Sequence, residues 1–148
     1  MVNKIYIAAD HAGFKLKEKL KRWFSKKGIQ CIDMGNTVLD PTDDYPDYAV
    51  PLARKVVATK SLGILVCGSA QGVCITANKI KGARAAIPFS LKEAKLSREH
   101  TDANIICLSG WFMSTHKAKK MIKIFMETPF STEKRHVRRV NKIKNLEK

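Results

Sequence analysis

Five short apolar runs, each leading into a stretch with helical spacing, constrain this chain more than any other feature. Asn3 to Ala9, Ile29 to Met34, Leu62 to Cys67, Ala83 to Ile87 and Ala103 to Leu108 are brief and do not alternate polar with apolar residues. Runs of that kind are strands covered on both faces, as in a parallel sheet. Helical segments follow from Phe14 to Lys27, on to about Thr59, from Val73 to Lys79, from Ser90 to Glu99 and from Ser114 to Glu127. A last helix spans about Glu133 to Leu146. Gly28 caps the first helix. Residues 35–47, with Gly35, Pro41 and Pro46, read as a loop, and Pro51 either occupies the first turn of the next helix or starts it. The alternation predicts an α/β fold: a three-layer α/β/α sandwich around a five-stranded parallel, Rossmann-like sheet.

The 148 residues suit one domain, 1–148, large enough to bury its own core. No apolar run approaches the roughly 20 residues needed to span a bilayer. The opening Met1-Val-Asn-Lys-Ile-Tyr-Ile goes straight into a strand pattern, so no signal peptide is expected. Cys31, Cys67, Cys74 and Cys107 form no CxxC pair, which excludes zinc ribbons and CxxC redox motifs and predicts free thiols in a reducing, cytoplasmic setting. Cys31, Cys74 and Cys107 look like core fillers, and His116 belongs on a helix surface. The net charge of +15 would suit nucleic acid. However, Trp23 and Phe24 fall in register with Leu16 and Leu20, the buried stripe of an amphipathic helix. Lys15, Lys19, Lys26 and their neighbours are then a solvated face, and nucleic acid is not the expected partner.

Right-handed crossovers place every strand's carboxyl end on one edge, where ligands bind. After the first strand come Asp10-His11-Ala12-Gly13; after the third, Cys67-Gly68-Ser69-Ala70-Gln71-Gly72; ahead of the fifth, His100-Thr101-Asp102. Backbone N–H groups where the 68–72 loop enters a helix can bind an anion and favour a thiolate at Cys67, the combination of a base beside an oxyanion cradle. A buried cysteine with glycines kept only for a tight turn fits the pattern equally. The loop is neither a Walker A motif nor a full GxGxxG. Asp10 and His11 can orient hydroxyls or move a proton, or Asp10 can cap the next helix. His100 can be an acid–base group or a histidine favoured by a helix C-terminus. Arg135 and Arg139, four apart, share one helix face and can hold a phosphate or belong to a solvated basic tail.

Together, Ala9-Asp10-His11-Ala12-Gly13-Phe14, Asp44-Tyr45-Pro46, Val66-Cys67-Gly68-Ser69, Ala77-Asn78-Lys79, Arg98-Glu99-His100 and Arg135-His136 followed by Arg139 resemble, in order and spacing, the type B ribose-5-phosphate isomerases of the ribose/galactose isomerase family. The resemblance covers nearly the whole chain. It implies interconversion of ribose 5-phosphate and ribulose 5-phosphate through a cis-enediolate, in the pentose phosphate pathway, with no metal or cofactor. It implies a homodimer, which in some members pairs into a tetramer, with the 133–146 helix packing on a partner subunit. By resemblance Cys67 is the base, Ser69 and the amides of Gly68, Ala70, Gln71 and Gly72 stabilise the enediolate oxygen, and His100 assists ring opening. Asp10 binds ring or hydroxyl oxygens, His11 lies near the phosphate, Tyr45 lines the pocket, and Arg135 and Arg139 grip the phosphate from the partner.

The chain departs from the family pattern at four places. Ala70 replaces a glycine, at a cost if the position needs positive φ. Thr101 stands where Asn usually follows the histidine, Trp111 takes the place of a phosphate-binding Arg, and Pro51 is unusual. Six-carbon sugar phosphates such as allose or galactose 6-phosphate are the alternative substrates. A non-catalytic member that binds a phosphorylated ligand or RNA is the alternative from another class.

Overall fold

The structure, a computed structural model, describes residues 4–147. It has β1 (Lys4–Ala9), α1 (Phe14–Lys26), β2 (Gln30–Asp33), α2 (Pro46–Thr59), β3 (Leu62–Cys67), α3 (Gln71–Ala77), β4 (Ala85–Ala86), α4 (Leu91–Thr101), β5 (Ile105–Ser109), α5 (Thr115–Glu127) and α6 (Lys134–Asn145). All four strand pairings are parallel, in the order β2-β1-β3-β5-β4. The alternation thus gives the α/β sandwich that it predicts. The expected strand start at Asn3 lies outside the described residues.

Successive strand residues feed opposite cores, because side chains alternate across a pleated strand. Ile5, Ile7, Ile64, Val66, Ile106 and Leu108 pack with Leu16, Leu20 and Phe24 of α1, Ala94 of α4 and Met121 and Phe125 of α5. Tyr6, Ala8, Leu65, Cys67, Ile105 and Cys107 pack with Leu52 and Val56 of α2 and Val73 and Ala77 of α3. Both faces of the three central strands β1, β3 and β5 are buried, which is why those strands read as unbroken apolar runs. α6 lies against α4 and buries His136 and Val140. No helix among the described residues is long and apolar enough to cross a membrane.

Three local expectations are corrected. Pro51 neither starts α2 nor sits in its first turn; Pro46 holds that place, and Pro51 is inside the helix. The bond that Pro51 lacks would have gone to the carbonyl of Asp47, and both residues are exposed, so the acceptor is left open to solvent. The 83–87 run yields only a two-residue strand, because side chains cap its flanks. Asn104 Oδ1 accepts from Arg84 N at 2.8 Å, and Asn78 bonds both the N–H and the carbonyl of Ala85 at 2.8 and 3.0 Å. Finally, Lys17 is not on the solvated face of α1. It is 0% exposed, with Nζ 2.6 Å from Asp33 Oδ2 and 2.9 Å from Glu18 Oε1. Lys15, Lys19 and Lys26 do face solvent.

Candidate active site

The chain leaves β1 toward α1 on one face of the sheet and leaves β3 toward α3 on the other. A crevice opens at the carboxyl ends between these neighbouring strands, where the winding reverses. Two close approaches shape it. A Cβ on Gly13 would lie 2.3 Å from Val66 O, so only glycine lets the loop after β1 lie against β3. A Cβ on Gly110 would lie 2.4 Å from Ala12 O. The ends of β3 and β5 are stitched together by Gly110 N donating to Cys67 O at 2.8 Å and Ser109 Oγ donating to Gly68 O at 2.6 Å.

Cys67 is the last residue of β3 and is 4% exposed. Its thiol is not lowered, as the loop pattern suggests, but raised. Burial pushes it up and the nearby Asp10 carboxyl adds to this, against backbone N–H groups of Val73, Ala70 and Ser69 that favour the thiolate. Asp10 is 5% exposed and does not cap α1; its Oδ1 accepts from Gly13 N at 3.0 Å, and α1 begins after Gly13 with no side-chain cap. Burial also raises Asp10 above the usual carboxylate range.

The 68–72 loop turns through Ala70 at φ 71°, ψ −12°, the left-handed conformation for which glycine is suited. Ser69 Oγ accepts from Gln71 N at 3.4 Å. Aromatic rings bracket the loop: a Cβ on Gly68 would meet the Trp111 indole at 2.6 Å, and one on Gly72 would meet the Tyr45 ring at 2.5 Å. Trp111 therefore roofs the loop, beside Phe112.

His11 is held by Asp43, a residue that the sequence pattern does not single out. Nδ1 lies 2.7 Å from Asp43 Oδ1, which also accepts the His11 backbone N–H at 3.0 Å. The hydrogen bond to Asp43 raises the His11 pKa. Asp10, His11 and Asp43 place three ligand atoms within 4.8 Å of one another, the spacing of a metal cluster. Each of the three is already engaged in a hydrogen bond: Asp10 Oδ1 accepts from Gly13 N, His11 Nδ1 meets Asp43 Oδ1, and Asp43 Oδ2 accepts from Asn36 Nδ2.

The remaining predicted residues lie elsewhere in the chain. α4 runs antiparallel to the strands, so His100, in its last turn, is carried away from the carboxyl edge. Thr101 shares a groove with Ala86, which pairs with Ile106, three residues short of the Cys67–Ser109 level. That is about 10 Å down the strand axis, on a strand two places from β3. Within one chain, His100 therefore lies away from the edge that carries Asp10 and Cys67. His100 instead stacks on His136 of α6, ring centroids 4.1 Å apart and tilted 32°. Burial and His100 lower the His136 pKa, and its buried Nδ1 has no hydrogen-bond partner among the described residues. The Thr101 hydroxyl is taken by Ser97 O. Arg135 and Arg139 are exposed on α6, and Arg135 Nε pairs with Glu133 Oε2 at 2.7 Å. The site residues therefore form two groups: Asp10, His11, Tyr45, Cys67 and the 68–72 loop at the crevice, and His100, Thr101, Arg135 and Arg139 along α4 and α6.

A parallel sheet wound on both faces, with a thiol, a carboxylate and a row of backbone N–H groups at its switch point, defines an α/β protein whose candidate site lies where doubly wound sheets bind small ligands. A family model described as Ribose/Galactose Isomerase matches residues 5–143. The chain is 46% identical to the probable ribose-5-phosphate isomerase B of Mycoplasma pneumoniae over 97% of this chain and 94% of that one. Its fold superposes with a TM-score of 0.92 on ribose-5-phosphate isomerase B of Mycoplasma genitalium, solved with bound ribulose-5-phosphate, at 40% identity over 97% of this chain and 95% of that one. The Thermotoga maritima ribose 5-phosphate isomerase gives the same TM-score at 38% identity, over 98% and 99%. The chain belongs to the ribose/galactose isomerase family.

Proposed function

We propose that this chain interconverts ribose 5-phosphate and ribulose 5-phosphate with Cys67 as the base. The observation that carries this reading is the meeting of Cys67, Asp10 and the 68–72 backbone at the switch point of a chain of this family. An aldose–ketose shift needs a base within reach of C1 and C2, donors for the enediolate oxygen and an anchor for the unreacting phosphate. The Cys67 thiolate takes the C2 proton of the open-chain aldose and returns it to C1. The hydroxyl proton moves from O2 to O1, so atoms and charge balance. Ser69 and the amides from Gly68 to Gly72 face the developing enediolate. Asp10 holds ring or hydroxyl oxygens, His11 lies against the phosphate, and Tyr45 and Trp111 wall the pocket. The proton shift itself calls for no cofactor, and the reaction belongs to pentose phosphate metabolism in the cytoplasm.

The second group of residues serves the site of a second copy in a homodimer, which can pair further into a tetramer. His100 of that copy assists ring opening, Thr101 stands beside it, and Arg135 and Arg139 grip the phosphate, so that the 133–146 helix packs on the partner. The positive charge of the two arginines also offsets the burial that holds the Cys67 thiol up.

The test is an isomerase assay on purified protein. Wild type turns over ribose 5-phosphate, and Cys67→Ala loses about 1000-fold or more in kcat while keeping its fold by circular dichroism. Near-normal turnover in that variant would remove Cys67 as the base. Better turnover of allose or galactose 6-phosphate would move the assignment to six-carbon sugars.

A further inference from the structure

The isomerisation uses His11 and leaves Asp43 without a role, yet Asp43 is the more firmly held of the two. Its side chain is 3% exposed, against 40% for His11. One oxygen accepts both from the His11 backbone N–H and from the ring at Nδ1, at 3.0 and 2.7 Å, and the other accepts from Asn36 Nδ2 at 3.1 Å. Asn36 is itself tied to the end of β1, with its N–H donating to Ala9 O at 2.9 Å. The carboxylate thus joins the loop after β2, the loop before α2 and the start of the crevice. A buried carboxylate on Nδ1 fixes the imidazole tautomer, aims the ring and favours its protonated form. The other nitrogen, Nε2, is then left as a donor for a ligand.

We propose that Asp43 is the positioning residue for His11, holding it as an imidazolium whose Nε2–H takes the substrate phosphate. This rests on the proposed placement of His11 against the phosphate. The charged groups that act most strongly on His11 are Asp43, Asp10 and Asp40, all acids. The Asp43 hydrogen bond raises the His11 pKa most; partial burial opposes it, and the fields of Asp10, Asp43 and Asp40 add to it. Asp43 itself stays ionised: burial pushes it up, but the bonds from His11 and Asn36 outweigh that and hold it below the usual carboxylate range. Tyr48, raised by burial and by Asp43, remains a neutral phenol.

The experiment combines NMR titration of the His11 ring with steady-state kinetics and inhibition by inorganic phosphate. In wild type, ring 15N shifts report a proton held on Nδ1, and KM rises as pH climbs through the His11 pKa. In Asp43→Asn the His11 pKa falls, the KM rise begins at lower pH, and KM and the phosphate inhibition constant increase about tenfold, more than kcat falls. Asp43→Glu restores part of each change, and the double variant with His11→Ala binds no worse than His11→Ala alone. The inference is overturned if the His11 pKa is the same in folded Asp43→Asn, if the two substitutions add, or if wild-type Nδ1 carries no proton. If Asp43→Asn does not fold, the wild-type 15N shifts and Asp43→Glu decide. Should His11→Ala raise KM while Asp43→Asn does not, this inference fails alone. Should His11→Ala leave KM unchanged, the phosphate role of His11 fails and takes the inference with it.

Discussion

Ala70 concentrates the residue-scale energetics of the crevice. A left-handed alanine costs about 1–2 kcal/mol, which glycine would not. Glycine here would also give up a buried methyl, worth about 0.8 kcal/mol, and would enlarge the unfolded ensemble by a further 0.4–1 kcal/mol or so. These effects nearly cancel, so an alanine can stand at a glycine position without a visible penalty. Ala70→Gly is expected to change stability by less than about 1 kcal/mol in urea unfolding, whereas Ala70→Val, β-branched and with no free volume, should cost about 3 kcal/mol. Equal losses for the two would show that φ does not govern this position. At the same scale, helix-start reasoning gives the wrong direction for the Cys67 thiol. It weighs the nearby N–H groups but cannot see how completely the sulfur is buried, nor that Asp10 approaches it.

Among the elements, α1 and β2 show how a charged residue can stand inside an apolar stripe. Lys17 is buried because Asp33, at the end of β2, meets it at 2.6 Å and also takes Lys21 at 2.6 Å. Burial alone would raise the Asp33 carboxyl, but these hydrogen bonds and the one from Gly35 N hold it below 3.8. The sign follows from the folded pKa being the lower one. The stabilisation is complete above about pH 3.8, the unfolded value, and is lost as pH falls through the folded value. Asp33→Ala strands a buried ammonium with only Glu18 near it, and should lose about 3 kcal/mol in urea at neutral pH. The difference from wild type should shrink below about pH 3.8. A difference that persists at low pH would mean that packing, not the ion pair, sets the loss. Spacing along α1 reveals its apolar stripe, but a lysine within that stripe is unremarkable until the partner strand supplies a carboxylate.

For the whole molecule, the decisive fact is that the described chain separates the predicted site into two groups. If His100, Arg135 and Arg139 serve a second copy, two inactive variants can repair each other. Cys67→Ala mixed and refolded with Arg139→Ala should recover about a quarter of wild-type activity, because half the dimers are mixed and each has one complete site. Recovery of none would place all the residues in one chain's site. The sequence by itself determined the α/β class, the family and the identity of most candidate site residues, and it pointed to the sheet's carboxyl edge as the place for them. Those features reside in local periodicity, in the residues at each strand's carboxyl end and in short strings of fixed order, all of which a linear chain displays. The tertiary structure alone decided that Asp43 grips His11, that Lys17 is buried, that Trp111 roofs the loop and that His100 lies away from Cys67. Each of these depends on contacts between segments distant in sequence, and on α4 running antiparallel to the strands, a direction that places its last turn at the opposite end from the crevice.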